Sequence, residues 1–236
     1  MNSFHRARSF ALVLPLLAGL AACVSGTKQS AGLRQVDDLL GRIERVQAET
    51  LLARQKSAAA LAALRTLVDP DFAGDPRAGF AAFAQAIDES ERQAKALRGG
   101  VLPMKSAAET LFARWNRDLD AFQNVQMRER SQTRLEETRR RYDAIVATAD
   151  PVLWSYDAYN ATLRDHALFL GHDLNAAAVD ALADGIDELE EQLEDLDERF
   201  GACERSAIEY VRSSALVGRI EVVDEGVPAR TPAASK

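Results

Sequence analysis

The chain has 236 residues, of which 47% are hydrophobic and 28% charged, while aromatics make up 6% and cysteines number two. That balance excludes a multispanning membrane protein, a collagen-like chain, a disulfide scaffold and wholesale disorder. A formal net charge of -7 also argues against nucleic-acid binding.

The first element is a sorting signal. His5, Arg6 and Arg8 precede an apolar run over residues 10–22, which ends at Cys23. A basic region, a short apolar region and small residues before a cut site make a secretory signal. As a helix the run would span about 20 Å, short of a bilayer core of about 30 Å. Leu20-Ala21-Ala22-Cys23 resembles a bacterial lipobox. That resemblance implies acyl transfer to the Cys23 sulfur, cleavage before Cys23 and acylation of the new amine. The plainer alternative is an ordinary signal peptide with Cys23 as a stray thiol. Several acyl chains anchor stably, whereas one is marginal. By resemblance to Gram-negative sorting signals, Val24 in place of Asp favours delivery to the periplasmic face of the outer membrane over inner-membrane retention. Residues 1–22 carry two arginines and no acids, so the processed chain holds 27 basic against 36 acidic residues, or -9.

Residues 23–32 read as a small-residue tether, residues 33–216 as one helical domain, and residues 217–236 as a disordered tail with Pro, Gly and charges but no periodicity. No run alternates with period two, so no strand is expected. The first helix opens with Val36, Leu40 and Ile43 and continues as an alanine-rich stretch to Leu67. Asp69-Pro70 and Gly74-Asp75-Pro76 end it, and a second helix restarts near residue 77. Its seam reads Phe80, Phe83, Ile87, Ser90, Ala94 and Leu97. Gly99-Gly100 and Pro103 mark a tight turn or a kink. A further seam follows with Val101, Met104, Ala108, Leu111 and Trp115. Leu135, Thr138, Tyr142, Ile145, Ala149, Val152, Tyr156, Tyr159, Leu163, His166 and Leu170 form another, passing Asp150-Pro151. The strongest is the last: Val179, Leu182, Ile186, Leu189, Leu193, Leu196, Phe200, Cys203, Ala207 and Tyr210, with Asn175 as its N-cap. The expectation is an all-α, elongated antiparallel bundle or coiled coil of three to five long helices.

If the chain reverses near residue 101, residues 33–68, 133–168 and 176–213 form a three-helix bundle, with 77–98 and 103–124 as a two-helix arm. The rod would be about 100 Å long. In that register Arg34, Arg42 and Arg45 fall level with Asp180, Glu188 and Glu191.

Candidate chemistry is sparse. The acids Asp184, Asp187, Glu188, Glu190, Glu191, Glu194, Asp195, Asp197 and Glu198 alternate with a hydrophobic seam. They read as a solvated helix face rather than a calcium site, which needs loops that converge oxygens. Arg128, Arg130, Arg134, Arg139, Arg140 and Arg141 form a basic band among Glu129, Glu136 and Glu137. It could attract an anionic envelope component, or be a salt-laced helix surface. His166 and His172, beside Asp165 and Asp173, are six residues apart, whereas metal-binding helices space ligands by three or four. His166 falls on the seam, and His172 suits a helix C-terminus. Cys203, also on the seam, is a small core residue or a point of pairing between chains. Trp115 reads as core. No G-x-S-x-G, H-E-x-x-H or C-x-x-C occurs, and Phe80-Ala81 stand where a phosphate loop spaced like Gly74–Gly79 would need Lys and Ser/Thr. Asn160-Ala161-Thr162 is a glycosylation sequon in form only.

Three stretches together resemble a known family. They are Leu111-Phe112-Ala113-Arg114-Trp115 with Leu119; residues 131–135 with Thr138 and Tyr142; and residues 165–176, Asp-His-Ala-Leu-Phe-Leu-Gly-His-Asp-Leu-Asn-Ala. The pattern is similar to the bacterial envelope proteins grouped as domain of unknown function 2959, over roughly residues 33–215. Family members show Lys-His-Asn-Leu-Asn-Ala in the last stretch, where this chain has Gly171 and Asp173. The resemblance implies a helical lipoprotein or secreted protein and supplies no activity and no catalytic residues.

The expected function is therefore a non-catalytic scaffold, lipid-anchored through Cys23, with no cofactor and no bound metal. It would bind a protein or other envelope component, not nucleic acid. Two alternatives stay open: an enzyme or ligand carrier with a site near His166 and His172, and a structural coiled coil that self-associates into homo-oligomers.

Overall fold

A computed structural model describes residues 26–172 and 174–214. The lipidation candidate Cys23, Asp173 and the tail from 215 lie outside the described residues. The chain forms α1 (Gly26–Val68), α2 (Pro76–Asp118), a 3-10 turn (Leu119–Ala121), α3 (Val125–His172), the short α4 (Ala176–Asp180) and α5 (Ala183–Ser214). Among the described residues there is no strand. The all-α expectation stands.

The four long helices run alternately up and down. Helix α1 packs beside α2 and α5, and α3 packs beside the same two, so α1 and α3 face each other across the diagonal. The three-helix bundle with a separate arm is therefore corrected to an up-down-up-down four-helix bundle. With 43 residues in each of α1 and α2, it is about 65 Å long rather than about 100 Å. The register changes too. Thr50 lies against Cys203, Arg54 against Asp197 and Arg65 against Glu190. Rising numbers on α1 meet falling numbers on α5, so Arg42 and Arg45 do not lie level with Glu188 and Glu191.

The cause is what happens at residue 101. Helix α2 passes through Gly99, Gly100 and Pro103 without a break. Its buried residues are Phe83, Ile87, Ser90, Ala94, Leu97, Val101, Met104, Ala108 and Leu111. They step by four and three across the glycines with no change of phase, so breaking the helix there would split a continuous apolar stripe. Gly100 is buried, and a side chain there would meet Val46 at 3.5 Å. That is an ordinary contact, so space alone does not demand glycine there. Pro103 leaves the Gly99 carbonyl without its helical donor, but Gly99 is exposed and water can serve it. Pro151 in α3 is tolerated the same way, above exposed Ala147. Lys105 and Asp150, at 2.6 Å, tie the two proline segments together.

Real breaks occur where capping chemistry supports them. The Asp75 side chain accepts from the Arg77 amide at 3.0 Å with Pro76 at the first turn. The Asn124 side chain accepts from the Met127 amide at 3.2 Å and starts α3. Asn175 is an N-cap as expected, accepting from Ala178 at 2.9 Å, but it starts α4, and α5 begins at Ala183. Helix α1 already runs from Gly26 rather than Leu33, because extending a nucleated helix costs little.

Two ends result. One holds the start of α1, the turn between α2 and α3, and the end of α5. The other holds the α1–α2 loop and the connection through α4.

Candidate functional site

The core centre is built around an inequality of size. Helix α1 contributes Thr50, Ala53, Ser57 and Ala60 to its buried stripe. These small residues leave room for Tyr156 and Tyr159 from the diagonally opposite α3 and for Phe200 from α5. Tyr156 and Phe200 meet edge to face, with centroids 5.4 Å apart. Tyr159 donates its hydroxyl hydrogen to the Ser57 carbonyl at 3.2 Å. Ser90 lies 2.6 Å from Asn160 Oδ1 and 3.0 Å from the Tyr156 hydroxyl. Ser90 has one hydrogen, so it donates to Asn160 while Tyr156 donates to Ser90. Within this layer, Asn160 Nδ2 is left without a partner among the described residues. This buried polar layer escaped the reading of the sequence, although Ser57, Ser90 and Asn160 on apolar stripes were the available signal. Asn160 is 3% exposed, so the sequon is closed to modification in the folded chain.

The six arginines do not form one surface. Arg128 pairs with Asp120 at 3.3 Å. Arg139 lies over the Phe112 ring of α2, 5.5 Å from its centroid. Arg141 is half-buried, donates to Thr138 Oγ1 at 3.3 Å and has Nε without a partner. Arg130, Arg134 and Arg140 are exposed, with no ion pair among the described residues. At 100° per residue, Arg130, Arg134 and Arg141 share one flank of α3, Arg128 and Arg139 the other, and Arg140 faces outward between them.

The histidines separate as well. His166 is half-buried and its Nδ1–H donates to the Thr162 carbonyl at 2.8 Å. Its Nε2 lies where a side chain at Gly185 would stand, 2.6 Å from an ideal Cβ. His166 is thus a packing residue between α3 and α5. His172 and Asp165 are exposed. Among the described residues, no three His, Cys, Asp or Glu side chains converge on one point. A cleft of about 340 Å³ opens at this end, lined by Leu67, Val68, Pro70, Phe72, Leu174 and Val179 among others, and neither histidine lines it.

Cys203 is 1% exposed and 3.9 Å from Thr50 Oγ1. Burial pushes its thiol up, against hydrogen bonds from Thr50 and Thr148. It serves as a small core residue and is not presented for pairing between chains. Trp115 is half-buried, and its indole N–H donates to Ser131 Oγ at 3.0 Å. It joins α2 to the first turns of α3.

The acidic run on α5 has a counterpart. Residues 51–68 of α1 hold three basic residues and no acid. Arg54 donates to Asp197 at 2.6 Å and Arg65 to Glu190 at 2.7 Å. The hydrogen bond from Arg54 holds the Asp197 carboxyl below its ordinary range. Asp195 pairs with Arg199 at 2.7 Å within α5, and the run as a whole still outnumbers its basic partners at one end of the bundle. The half of the bundle nearest the amino terminus (26–50, 96–156 and 202–214) carries 16 basic and 14 acidic residues. The other half (51–95 and 157–201) carries 8 basic and 19 acidic residues.

The family model for a protein of unknown function, DUF2959, matches residues 25–213. The chain belongs to that family. None of the curated proteins searched matches it. The match covers the whole bundle, so in this DUF2959 protein the family unit and the folding unit coincide. The stretch that carries the resemblance most specifically, residues 165–176, closes α3 and opens α4: Leu174 packs on the core and Asn175 caps the next helix. Gly171 is not dictated by space, since a Cβ there would make only an ordinary 3.5 Å contact with Phe80.

Proposed function

We propose that this DUF2959 protein is a lipid-anchored, non-catalytic interaction protein of the bacterial envelope, held by acyl chains on Cys23 and facing the periplasm from the outer membrane. The observation that carries the reading is the closed interior. The apolar stripes are buried along the bundle, and at its centre Ser90 holds Asn160 and Tyr156 while Thr50 and Ser57 bond carbonyls of their own helix. Function then falls to the surface, where Arg130, Arg134 and Arg140 offer unpaired cations to an anionic envelope component. No described helix is long and apolar enough to cross a membrane, so attachment would rest on the amino-terminal cysteine. Growing cells on labelled palmitate tests the anchor. Label in the parent and none in Cys23→Ser is the expected result, and an unlabelled parent overturns it. Crosslinking in intact cells from exposed position 144, one turn from Arg140, tests the partner. A reproducible adduct lost on Arg140→Glu is expected, and a pattern unchanged by that substitution counts against the arginine surface.

A further inference from the structure

Exposed large apolar side chains on a helical bundle need an explanation when they gather at one place. Most here do not. Leu102 stands alone, and Trp154 is covered on one face by Arg199 at 5.3 Å. The turn between α2 and α3 is different. Phe122 is 39% exposed, Val125 67% and Met127 48%, within six consecutive residues. The turn is not loose: Leu119 is buried, the Phe122 amide donates to Leu119 at 3.4 Å, and Asn124 caps α3. Capping fixes Val125 and Met127 in the first turn of α3. There α3 outruns the described part of α5: Tyr210 lies near Tyr142 and Ser214 about one turn further along, and Val125 and Met127 stay exposed beyond it. Leu33, 58% exposed, stands on α1 close to the same level, since Gln35 meets Arg114.

The charges around this tip are mostly cationic. Residues 26–34 and 114–134 hold seven basic and three acidic residues. Asp118 pairs with Arg114 and Asp120 with Arg128. Arg34, Arg117, Arg130 and Arg134 are exposed and have no carboxylate within ion-pair distance among the described residues. Apolar side chains ringed by arginines suit the headgroup boundary of an anionic bilayer: the former enter the acyl region while the latter stay at the phosphates. The first residue of α1, Gly26, is at this same end, three positions after Cys23 in the sequence. The strongly acidic half lies at the other end, where an anionic surface would repel it.

We infer that the α2–α3 turn is a second membrane contact, a lipid-inserting tip that docks on an anionic phospholipid surface and stands the bundle end-on. The orientation rests on the proposed anchor at Cys23; the affinity of the tip does not. The chain from residue 23 with Cys23→Ser, which cannot be acylated and retains the whole fold, is sedimented with vesicles. Binding to phosphatidylethanolamine–phosphatidylglycerol vesicles is expected at least tenfold above binding to phosphatidylcholine, weakening as salt is raised. The triple variant Phe122→Ser, Val125→Ser, Met127→Gln should lose at least tenfold in partitioning with no fall in melting temperature. Arg130→Glu with Arg134→Glu should lose a similar factor, and Leu102→Ser none. No binding by the parent, equal binding by the triple variant, or an equal loss in Leu102→Ser overturns the inference. A second reading uses the acylated protein in the same vesicles. An environment-sensitive dye on Val125→Cys should shift to the blue, while a dye on Leu168→Cys at the opposite end should stay aqueous. Matching aqueous emission from both overturns the tip. Failure of the anchor alone appears separately, as absence of palmitate label.

Discussion

The buried layer at the bundle centre allows a test in which two neighbouring substitutions differ in size. Ser90→Ala removes the hydroxyl that satisfies both Asn160 Oδ1 and the Tyr156 hydroxyl. Each buried group left without a partner costs about 1–3 kcal/mol. The expected loss from the two groups is therefore about 2–6 kcal/mol, a large share of a typical stability of about 5–15 kcal/mol. Asn160→Leu keeps the branching at Cγ and the number of side-chain heavy atoms. It deletes the amide nitrogen that already lacks a partner and frees Ser90 to donate to Tyr156. Its effect should lie within about 1 kcal/mol of the parent in either direction. Combining Ser90→Ala, Tyr156→Phe and Asn160→Leu leaves no orphaned group and should be at least as stable as the parent. Urea unfolding followed by circular dichroism, with linear extrapolation, measures all four proteins. If Ser90→Ala falls within about 0.5 kcal/mol of the parent, or if Asn160→Leu costs more than Ser90→Ala, the network does not work as described.

Gly185→Ala should destabilise by about 1–3 kcal/mol, because the new Cβ would stand 2.6 Å from a His166 ring already held by Thr162; thermal unfolding should show partial recovery when His166→Ala is added. All four tyrosines titrate above their ordinary value, with burial the leading cause, and Tyr142 and Tyr156 are pushed up to about 12. Unfolded phenols ionise near pH 10, so the stability is present below pH 10 and is lost as pH rises toward 12, about 2–3 kcal/mol for each two-unit shift. Phenolate absorbance and loss of helix should then rise together above pH 10; phenolate at pH 10 with the helix signal intact would refute this. Cys203 should be silent toward a thiol reagent until urea opens the bundle, and modification at the rate of a free thiol in buffer would contradict its burial.

Much of this was legible in the residues. The spacing from Leu182 to Tyr210 announced a coiled-coil stripe; Leu182, Leu189, Leu196, Phe200, Cys203, Ala207 and Tyr210 are buried, and Ile186 and Leu193 partly so. Asn175 announced a helix start by side-chain chemistry that acts over three residues, although the helix it starts is α4 rather than the last. The stop at Asp69-Pro70 was equally local. The error came at Gly99, Gly100 and Pro103, where local rules for turns competed with a longer-range pattern. The seam steps from Leu97 to Val101 by four and keeps its phase, which is a statement that the helix continues. The energy of burying that continuous stripe exceeds the cost of two glycines and a proline in a helix, about 1 and 3 kcal/mol respectively per residue. Once that turn is removed, the neighbour of each helix changes, and so does every charge register built on it.

The sequence by itself determined the helical class, the buried face of each helix and several of its caps, because these depend on contacts three or four residues apart. It also held the heptad phase that carries α2 through its glycines. Only the tertiary structure decided which helices are neighbours, that α1 and α5 run in opposite directions, and that Ser57, Ser90, Tyr159 and Asn160 meet at one level. It also decided that the acids gather at one end while Phe122, Val125 and Met127 stand beside unpaired arginines at the other. Those features belong to residues far apart in the chain, and their meeting depends on where the chain turns. A turn is set by the summed burial of whole helices, which no short stretch of sequence contains.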